Sequence, residues 1–420
     1  MLNIYCGRES RDREAFLFDR IGRRLQAIRN EESAAKRIVL LVPAQYTLKA
    51  EEAAFFHLKE EGFFDLQVMS GNRLRHQILH ETGKPDRVTV NTLGRTLLLR
   101  SVVLQSRSSL EAFQKAADSP DFLSMAGAMI AQLKQSALAP EDLESILQRT
   151  ESQGILHRKL SDMHRIYRDY QAALEGKWID SEDLLPAVSR KVSRSEFVRS
   201  SEIWFHDFYS FTVRETEFMA ELMLQAPELS VVLTGCEPGD PDEALFAPTF
   251  KAASALQGKA RDLGIPCRQE SIPVDYERHG RPERLRSIEK LLYAIPARPA
   301  PASGQDPSLT LLRAGNPYTE SQTIAAEILK LCKEDGYKPE EIAVLTNDIA
   351  GRGTILRRMF ELYGIPCFLD EKRTVLHSPL IRTLSSLLNA ASDGRLAGDV
   401  LGFLKTGLVK LFEDREADRF

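Results

Sequence analysis

Three observations predict an α/β protein whose parallel sheets are flanked by helices. Continuous apolar runs, typical of strands buried on both faces, alternate with segments whose apolar residues recur every three or four positions. Strand signals nearly vanish over residues 97–200, which indicates a helical insertion. A Pro- and Ala-rich connector over 294–309 precedes a second α/β run at 310–420. We therefore expect two α/β domains, the second of them incomplete.

The first domain opens over residues 1–96 with a strand, a loop and a helix. The apolar run "LNIYC" is followed by residues spaced as on one face of a helix, namely Phe18, Ile21, Leu25 and Ile28. The run "RIVLLVPA" then has the composition of a buried strand. The stretches "EEAAFFHL", "DLQVMS" and "NRLRHQILHE" continue the order as helix, strand and helix. This alternation predicts the beginning of a parallel sheet.

The rest of the chain alternates in the same way on either side of the connector. Within the insertion, helical spacing is clearest at Leu160, Met163, Ile166, Tyr167, Tyr170 and Leu174. The first domain returns over 201–293, where "EIWFHDFYSF" and "LSVVLTG" have strand character and flank a helix around "ETEFMAELMLQ". Beyond the connector we expect strands at "LTLLRAG", "EIAVLT" and "IPCFLD", with helices through "SQTIAAEILKLC" and "ILRRMFELY".

Composition places the chain among ordinary globular proteins and excludes several classes. It has 420 residues, 43% hydrophobic and 28% charged, with a net charge of -4, so nucleic-acid binding would require a local basic patch. The five cysteines are odd in number and far apart, which argues against a disulfide framework or a zinc site. Neither a leader peptide nor an apolar run of membrane-spanning length is present. We expect a cytoplasmic protein without metal or membrane contact.

The loop after the first strand has the position of a phosphate-binding loop without its chemistry. Aligning the loop template, which ends in Gly, Lys and Ser or Thr, on Gly7 places Asp12, Arg13 and Glu14 on its last three positions. Two carboxylates at a helix N-terminus would repel a triphosphate and would themselves complement the positive end of the helix. The alternative interpretation is an ordinary helix start capped by Ser10.

A second degenerate element lies on "IWFHDFYSFT", residues 203–212. In phosphate-loop helicases the corresponding strand ends in Asp-Glu, where Asp holds magnesium and Glu positions the attacking water. Here His206 and Asp207 take those positions, and neutral imidazole is a poor magnesium ligand. Both halves of the ATP chemistry are therefore missing together, and we predict a degenerate nucleotide site with no catalytic residue.

Short motifs occur through most of the chain in the order "GRESRDRE", "LVPAQYT", "QVMSGNRL", "IDSEDLL", "DFYSFTVRE", "GYKPEEIAVLTND" and "GIPCFLDEKRTVLHSPLI". In this order they resemble the N-terminal, helicase-like region of the AddB family, whose members pair with AddA in bacterial helicase–nucleases. The chain is more distantly similar to UvrD-like helicases of superfamily 1. The resemblance implies two RecA-like domains of the P-loop NTPase fold, with a 1B-like helical insertion in the first and a 2A-like second domain.

The resemblance also implies partners and cofactors. An AddA-type helicase–nuclease subunit would carry ATP and magnesium, and the complex would act on single-stranded and double-stranded DNA ends. Members of the family usually continue into a nuclease domain with cysteine ligands for an iron–sulfur cluster, which would lie beyond this chain. For the chain itself we therefore expect no cofactor.

The family's DNA-binding surface, which is linked to recognition of the Chi sequence, corresponds to loops that follow strands. Gln45 and Thr47 in "PAQYT" match positions where helicases offer amide and hydroxyl donors to phosphates. Arg73 in "NRL" is the matching basic residue, and His76 takes a position where members often have an aromatic residue. A further pair of candidates follows the degenerate Asp-Glu strand, Phe211 and Thr212. The alternative for the aromatic residue is that it fills the core.

These inferences point to a helicase-like subunit that binds or scans single-stranded DNA, without ATPase activity of its own, in double-strand break repair and recombination. Two alternatives remain open. One is an active superfamily 1 helicase with an atypical phosphate loop. The other is a structural scaffold that binds a partner protein and does not contact DNA.

Overall fold

The computed structural model of the protein describes residues 1–84, 87–150, 154–278, 280, 282–297, 299, 308–371, 375–392 and 397–408. The chain forms two compact units, Met1–Leu309 and Thr310–Phe420. The division falls at the end of the Pro- and Ala-rich connector. None of the helices in the described part of the chain combines the length and the apolarity that crossing a bilayer requires. All five cysteines are free thiols.

The first unit contains the strands of the protein as far as it is described. They are β1 (Leu2–Gly7), β2 (Arg37–Leu41), β3 (Leu66–Met69), β4 (Val88–Val90), β5 (Trp178–Asp180), β6 (Ser201–His206), β7 (Leu229–Thr234) and β8 (Cys267–Ser271). All but β4 and β5 form one parallel sheet in the order β3-β2-β6-β7-β1-β8. This arrangement confirms the predicted α/β class.

The helices of the first unit surround that sheet and form the insertion. They are α1 (Arg13–Arg29), α2 (Thr47–Leu58), α3 (Gly71–Thr82), α4 (Thr92–Ser106), α5 (Pro120–Gln135), α6 (Pro140–Leu147), α7 (Ile155–Leu174), α8 (Leu184–Ser189), α9 (Glu196–Arg199), α10 (Val213–Gln225), α11 (Ala247–Asp262) and α12 (Glu283–Leu291). The helix predicted from the spacing of Phe18, Ile21, Leu25 and Ile28 is α1.

The large sheet is buried on both faces, which explains why its strands read as continuous apolar runs. On one face α1 and α2 cover side chains of alternate strand positions, such as Tyr5, Ile38 and Trp204. On the other face α3, α8, α9, α10 and α11 cover the intervening positions, such as Ile4 and Val39. Because both faces are occupied, loops that carry function are left to the two edges where strands begin and end.

The insertion has a core of its own. Helices α4, α5, α6 and α7 enclose apolar side chains around the fully buried ring of Tyr170, whose hydroxyl donates to Asp180 Oδ2 at 2.7 Å. Strands β4 and β5 form a short parallel pair at the two ends of this helical region. Strand β5 was not predicted, because three residues are too few to establish a period.

The second unit consists of helices and irregular segments in its described residues. The helices are α13 (Pro317–Lys333), α14 (Ile349–Tyr363), α15 (Pro379–Ser392) and α16 (Ala397–Leu404). A small core lies between α13 and α14. The three predicted strands are not formed in the part of this unit that the structure describes. Their apolar side chains lack neighbours to pack on, since Leu311, Leu345 and Phe368 are 94%, 93% and 91% exposed. A second RecA-like domain therefore stays a prediction.

Candidate nucleotide site and nucleic-acid interface

The residues predicted to be functional lie at the carboxyl edge of the large sheet. The degenerate loop connects β1 to α1, and His206 ends β6, which is separated from β1 by β7 alone. The loops after β2 and β3 lie on the far side of β6 at the same edge. Ligands of open parallel sheets bind at this edge, so the topology brings the nucleotide candidates and the DNA candidates to one side of the molecule.

Helix α1 is capped by Asp12, not by Ser10 as the alternative interpretation predicted. The Asp12 carboxylate accepts a hydrogen bond from the Ala15 backbone amide at 2.9 Å. Ser10 lies too early, because the helix begins at Arg13. A carboxylate at the N-cap satisfies an unpaired amide and complements the positive end of the helix. Asp12 therefore makes the contact that a phosphate makes in a working loop.

The backbone amides of the loop are already bonded to protein acceptors. The Arg11 amide donates to the Arg8 carbonyl at 3.0 Å, and the Asp12 amide donates to the Tyr276 carbonyl at 2.6 Å. The Ser10 amide donates to Glu289 Oε1 at 2.8 Å. A phosphate loop binds its ligand through free amides that point inward. At these three positions a phosphate oxygen would have to displace an existing bond.

Residues 272–278, which we call the cap segment, cover the loop. The Tyr276 ring packs edge-on against Phe16 with 5.2 Å between centroids, and its hydroxyl donates to Asp19 Oδ2 at 2.5 Å. The Ile272 side chain lies so close to Gly7 that a β-carbon there would come within 2.8 Å of Ile272 Cδ1. Gly7 is therefore required by packing against the cap segment.

The side chain of Arg13, at the lysine position of the template, also has protein partners. Its Nη1 donates to Thr234 Oγ1 at 2.5 Å, at the end of β7, and its Nη2 pairs with Glu9. Arg13 is 11% exposed. Its guanidinium is thus held inside the protein instead of being presented to a ligand.

Arg8 was not recognised from the sequence, although it fills the space beside the loop. Its guanidinium binds Asp242 through two hydrogen bonds of 2.7 and 2.5 Å and Asp240 at 2.8 Å. Asp242 is fully buried, and the bonds from Arg8 hold the pKa of its carboxyl below the usual value. The thiol of Cys236 lies within 4.8 Å of the ligand atoms of both aspartates. Because Arg8 occupies the carboxylates, this group lacks the free negative charge that a cation site needs.

Glu14, at the hydroxyl position of the template, is connected to the neighbouring loop. Its Oε2 accepts a hydrogen bond from the Tyr46 hydroxyl at 2.6 Å, and its Oε1 lies 3.4 Å from His57 Nε2. Burial, together with the bond to Glu14, raises the pKa of Tyr46 above its ordinary value. Tyr46 is a second residue that the sequence did not single out. Its position inside the "PAQYT" motif was the available signal.

His206 is 5% exposed at the end of β6, and burial, with a smaller effect of the Arg13 charge, lowers its pKa to about 3. The imidazole is therefore neutral at neutral pH, and its ring centroid lies 6.3 Å from that of Tyr46. Asp207 follows with φ at 63°, a left-handed conformation that aspartate tolerates better than most residues. Together these positions offer one carboxylate where a helicase offers two, which does not fit a magnesium site.

The DNA candidates lie on the loops after three neighbouring strands, β3, β2 and β6. Gln45 is exposed after β2, and Thr47 Oγ1 donates to the Ala44 carbonyl at 3.0 Å at the start of α2. Arg73 and His76 are exposed on the first two turns of α3, which follows β3. All four residues therefore belong to adjacent loops.

The loop after β6 divides its side chains between core and surface. Thr212 caps α10 through a capping box, in which its hydroxyl accepts from the Glu215 amide at 3.2 Å and the Glu215 carboxylate accepts from the Thr212 amide at 2.9 Å. The Phe211 ring is half-buried and lies 5.5 Å from Phe208, against the core. Tyr209 is 61% exposed and is the aromatic side chain that this loop presents to solvent.

Comparison with known proteins agrees with the motif order and with this sheet. A family model described as "ADDB, N-terminal" matches residues 4–289, more than half of the chain. The chain belongs to the AddB family. The match covers most of the first unit, including the degenerate loop, the insertion and the cap segment. The family that the motifs resembled is therefore confirmed.

The curated relatives carry a common name and are much longer than this chain. The ATP-dependent helicase/deoxyribonuclease subunit from Alkaliphilus oremlandii is 28% identical over 414 residues, which are 97% of this chain and 35% of the relative. The protein of that name from Alkaliphilus metalliredigens is 29% identical over 412 residues, with the same coverage. The one from Bacillus cereus is 30% identical over 397 residues, 92% of this chain and 34% of the relative. The chain thus spans about a third of the relatives it matches.

Proposed function

We propose that this AddB-family chain is a helicase-like part of an ATP-dependent helicase–nuclease that processes DNA double-strand ends for repair and recombination. In this proposal it binds single-stranded DNA and does not hydrolyse ATP itself. The observation that carries the proposal is the bonding of the loop amides at Ser10, Arg11 and Asp12 to protein acceptors. A motor whose phosphate loop is closed in this way retains the shape of a helicase domain without its chemistry.

Three further features support the absence of ATP hydrolysis. The guanidinium of Arg13 is held by Thr234 and Glu9, so it is not directed at the outer phosphates. The carboxylate of Glu14 is bonded to Tyr46. Neutral His206 replaces the aspartate that would hold magnesium. Each replacement removes a different component of phosphoryl transfer, and the components act together.

The name of the relatives describes one subunit of a helicase/deoxyribonuclease, which supports an obligate partner for this chain. We propose an AddA-type subunit that supplies the ATP and magnesium chemistry. Nuclease chemistry, with any iron–sulfur cluster, would belong to parts of the complex outside this chain. We expect the complex to work in the cytoplasm, where chromosomal ends are processed.

DNA binding is supported by where the candidate donors lie. The loops after β3, β2 and β6 present Arg73, Gln45 and Thr212 along one edge of the sheet. Amide, hydroxyl and guanidinium groups are the common donors to phosphate oxygens, and such contacts fix the register of a strand without reading its sequence. The exposed ring of Tyr209 adds a surface on which a base could stack.

Two binding measurements on the full chain, alone and with its AddA-type partner, test the proposal. We expect no saturable binding of a fluorescent ATP analogue with magnesium to the chain alone. We also expect labelled single-stranded DNA to bind with an affinity that falls linearly on a log-log plot against salt. Saturable nucleotide binding that Arg13→Ala abolishes would favour the active-helicase alternative. Salt-independent or absent DNA binding, with intact partner binding, would favour the scaffold alternative.

A further inference from the structure

Arg75 occupies an unusual position on α3. It lies one turn before Ile78 and Leu79, which are buried against the sheet, so the base of its side chain points toward the protein. The side chain is half-buried. Within the residues that the structure describes, no hydrogen bond or ion pair reaches its guanidinium. A guanidinium removed from water without an anionic partner is costly, so such a group normally has a ligand.

The two acidic residues closest in their electrostatic effect on Arg75 are bonded elsewhere. The Glu215 carboxylate accepts from the amide and hydroxyl of Thr212 at 2.9 and 3.0 Å in the capping box of α10. The Glu182 carboxylate accepts from Gln135 Nε2 at 3.0 Å. Burial therefore prevails over both charges and lowers the pKa of Arg75. An incoming anion could bind this guanidinium without breaking an existing ion pair.

The surroundings of Arg75 indicate which anion that is. Helix α3 follows β3, and the α10 turn that carries Glu215 follows β6, with β2 between these strands. Arg75 thus lies between the loop that presents Arg73 and the loop that presents Thr212. A chain of phosphates along the carboxyl edge would pass over this position. The planar fork of arginine can donate two parallel hydrogen bonds to one phosphate.

We propose that Arg75 binds a backbone phosphate of single-stranded DNA between these two loops. The inference rests on the proposed function and adds a residue that the sequence motifs did not indicate. Arg73, although it matches the family motif, is exposed and fully solvated, so its contact with a phosphate would gain less. Arg75 is the better anchor because part of its desolvation has already occurred on folding.

Arg75→Ala and Arg75→Met in the full chain test this inference by salt-dependent binding of labelled oligothymidine. We expect affinity to fall about 10- to 100-fold, as for a charge-assisted hydrogen bond. The slope against salt should decrease by about 0.7, the value for one phosphate of a single strand. Arg75→Lys should keep the slope and lose part of the affinity, because it retains the charge without the fork. Arg23→Ala, which removes an equally charged residue from the middle of α1, is the matched control and should change neither quantity.

The outcomes separate this inference from the function on which it rests. The methionine variant retains the packing of the side-chain stem, and thermal unfolding shows whether either variant is folded. Unchanged affinity and slope in a folded Arg75→Met, with normal salt-dependent binding by the wild type, would overturn the role of Arg75 alone. Absence of any salt-dependent binding by the wild type would overturn the proposed function as well.

Discussion

The hydroxyl of Tyr46 donates a 2.6 Å hydrogen bond to Glu14 Oε2, and this bond joins the two halves of the candidate site. Tyr46 lies between Gln45 and Thr47 on the loop proposed to face DNA, whereas Glu14 lies in the first turn of α1. In an active helicase, nucleotide and DNA loops communicate through a bound ligand. Here a permanent protein bond connects the corresponding loops, so we expect the DNA loop to keep one arrangement.

Removal of this hydroxyl in Tyr46→Phe should destabilise the protein by about 1 to 2 kcal/mol, because a partly buried carboxylate loses its donor. Urea denaturation measures this change. Single-stranded DNA binding should weaken at the same time, since the loop loses its fixed position. Tyr209→Phe is the control, because that exposed ring makes no hydrogen bond within the described residues. Equal stability of the two variants would contradict the structural importance of the bond.

Arg8→Met should be strongly destabilising because it leaves the buried Asp242 carboxylate without its cation. Breaking a buried pair on one side typically costs about 3 to 5 kcal/mol. Arg8 holds the pKa of Asp242 below its ordinary value, so the pair stabilises the fold above that value and the contribution is lost as pH falls. Urea denaturation at neutral and acidic pH should therefore show a smaller difference between variant and wild type in acid. Arg23→Ala breaks a pair of which the arginine is 65% exposed and should cost under about 1 kcal/mol.

The buried imidazole of His206 should make the fold sensitive to mild acid. Its pKa is lowered to about 3 in the folded chain, below the ordinary value of 6.5, so the unfolded chain binds the extra proton between these values. Stability from this group is complete above the unfolded pKa and declines as pH falls toward 3, by up to about 1.4 kcal/mol per pH unit. His206→Gln should lack this component. The difference in unfolding free energy between wild type and variant, measured from pH 7 to pH 4, isolates it from other groups. A constant difference would contradict the buried neutral state.

Restoring the missing letters of the phosphate loop should not restore nucleotide binding. The triple variant Asp12→Gly, Arg13→Lys, Glu14→Thr recreates the template, yet the loop amides would still donate to the carbonyls of Arg8 and Tyr276. We expect a folded protein without saturable binding of magnesium–ATP in equilibrium dialysis. Binding that chelation of magnesium abolishes would show that side chains alone, and not the closed backbone, prevent ATP from binding.

The sequence sufficed to predict the elements whose signal is local. Apolar runs predicted β1, β2, β6 and β7, and helical spacing predicted α1, because burial on two faces or on one stripe writes a short-range pattern. The contacts that close the loop have no such pattern. Arg8 and Asp242 are 234 positions apart, and the cap segment reaches Asp12 from residue 276. Long-range pairing of this kind depends on topology, which no single-sequence pattern encodes.

The same reasoning explains the errors at the helix start and in the second unit. Ser10 is as good a cap as Asp12 by residue type, and the choice depends on where the helix begins, which sequence patterns fix only within a few residues. The apolar run around Leu345 has strand composition, but a strand also needs a neighbour with which to form a ladder. Composition predicts the tendency to pair, and the described residues of that unit provide no partner.

Gly7→Ala tests whether the first glycine of the loop is retained for packing against the cap segment. Its new β-carbon would come within 2.8 Å of Ile272 Cδ1, so we expect a loss of about 1 to 3 kcal/mol in urea denaturation. In an Ile272→Ala background two of the three clashing atoms are gone, and the cost of Gly7→Ala should fall by about 1 kcal/mol or more. Gly258→Ala in α11 is the control, because nothing lies within 4 Å and alanine favours the helix. If Gly7 were kept only for close approach of a ligand, Gly7→Ala would leave stability unchanged and the two substitutions would be additive.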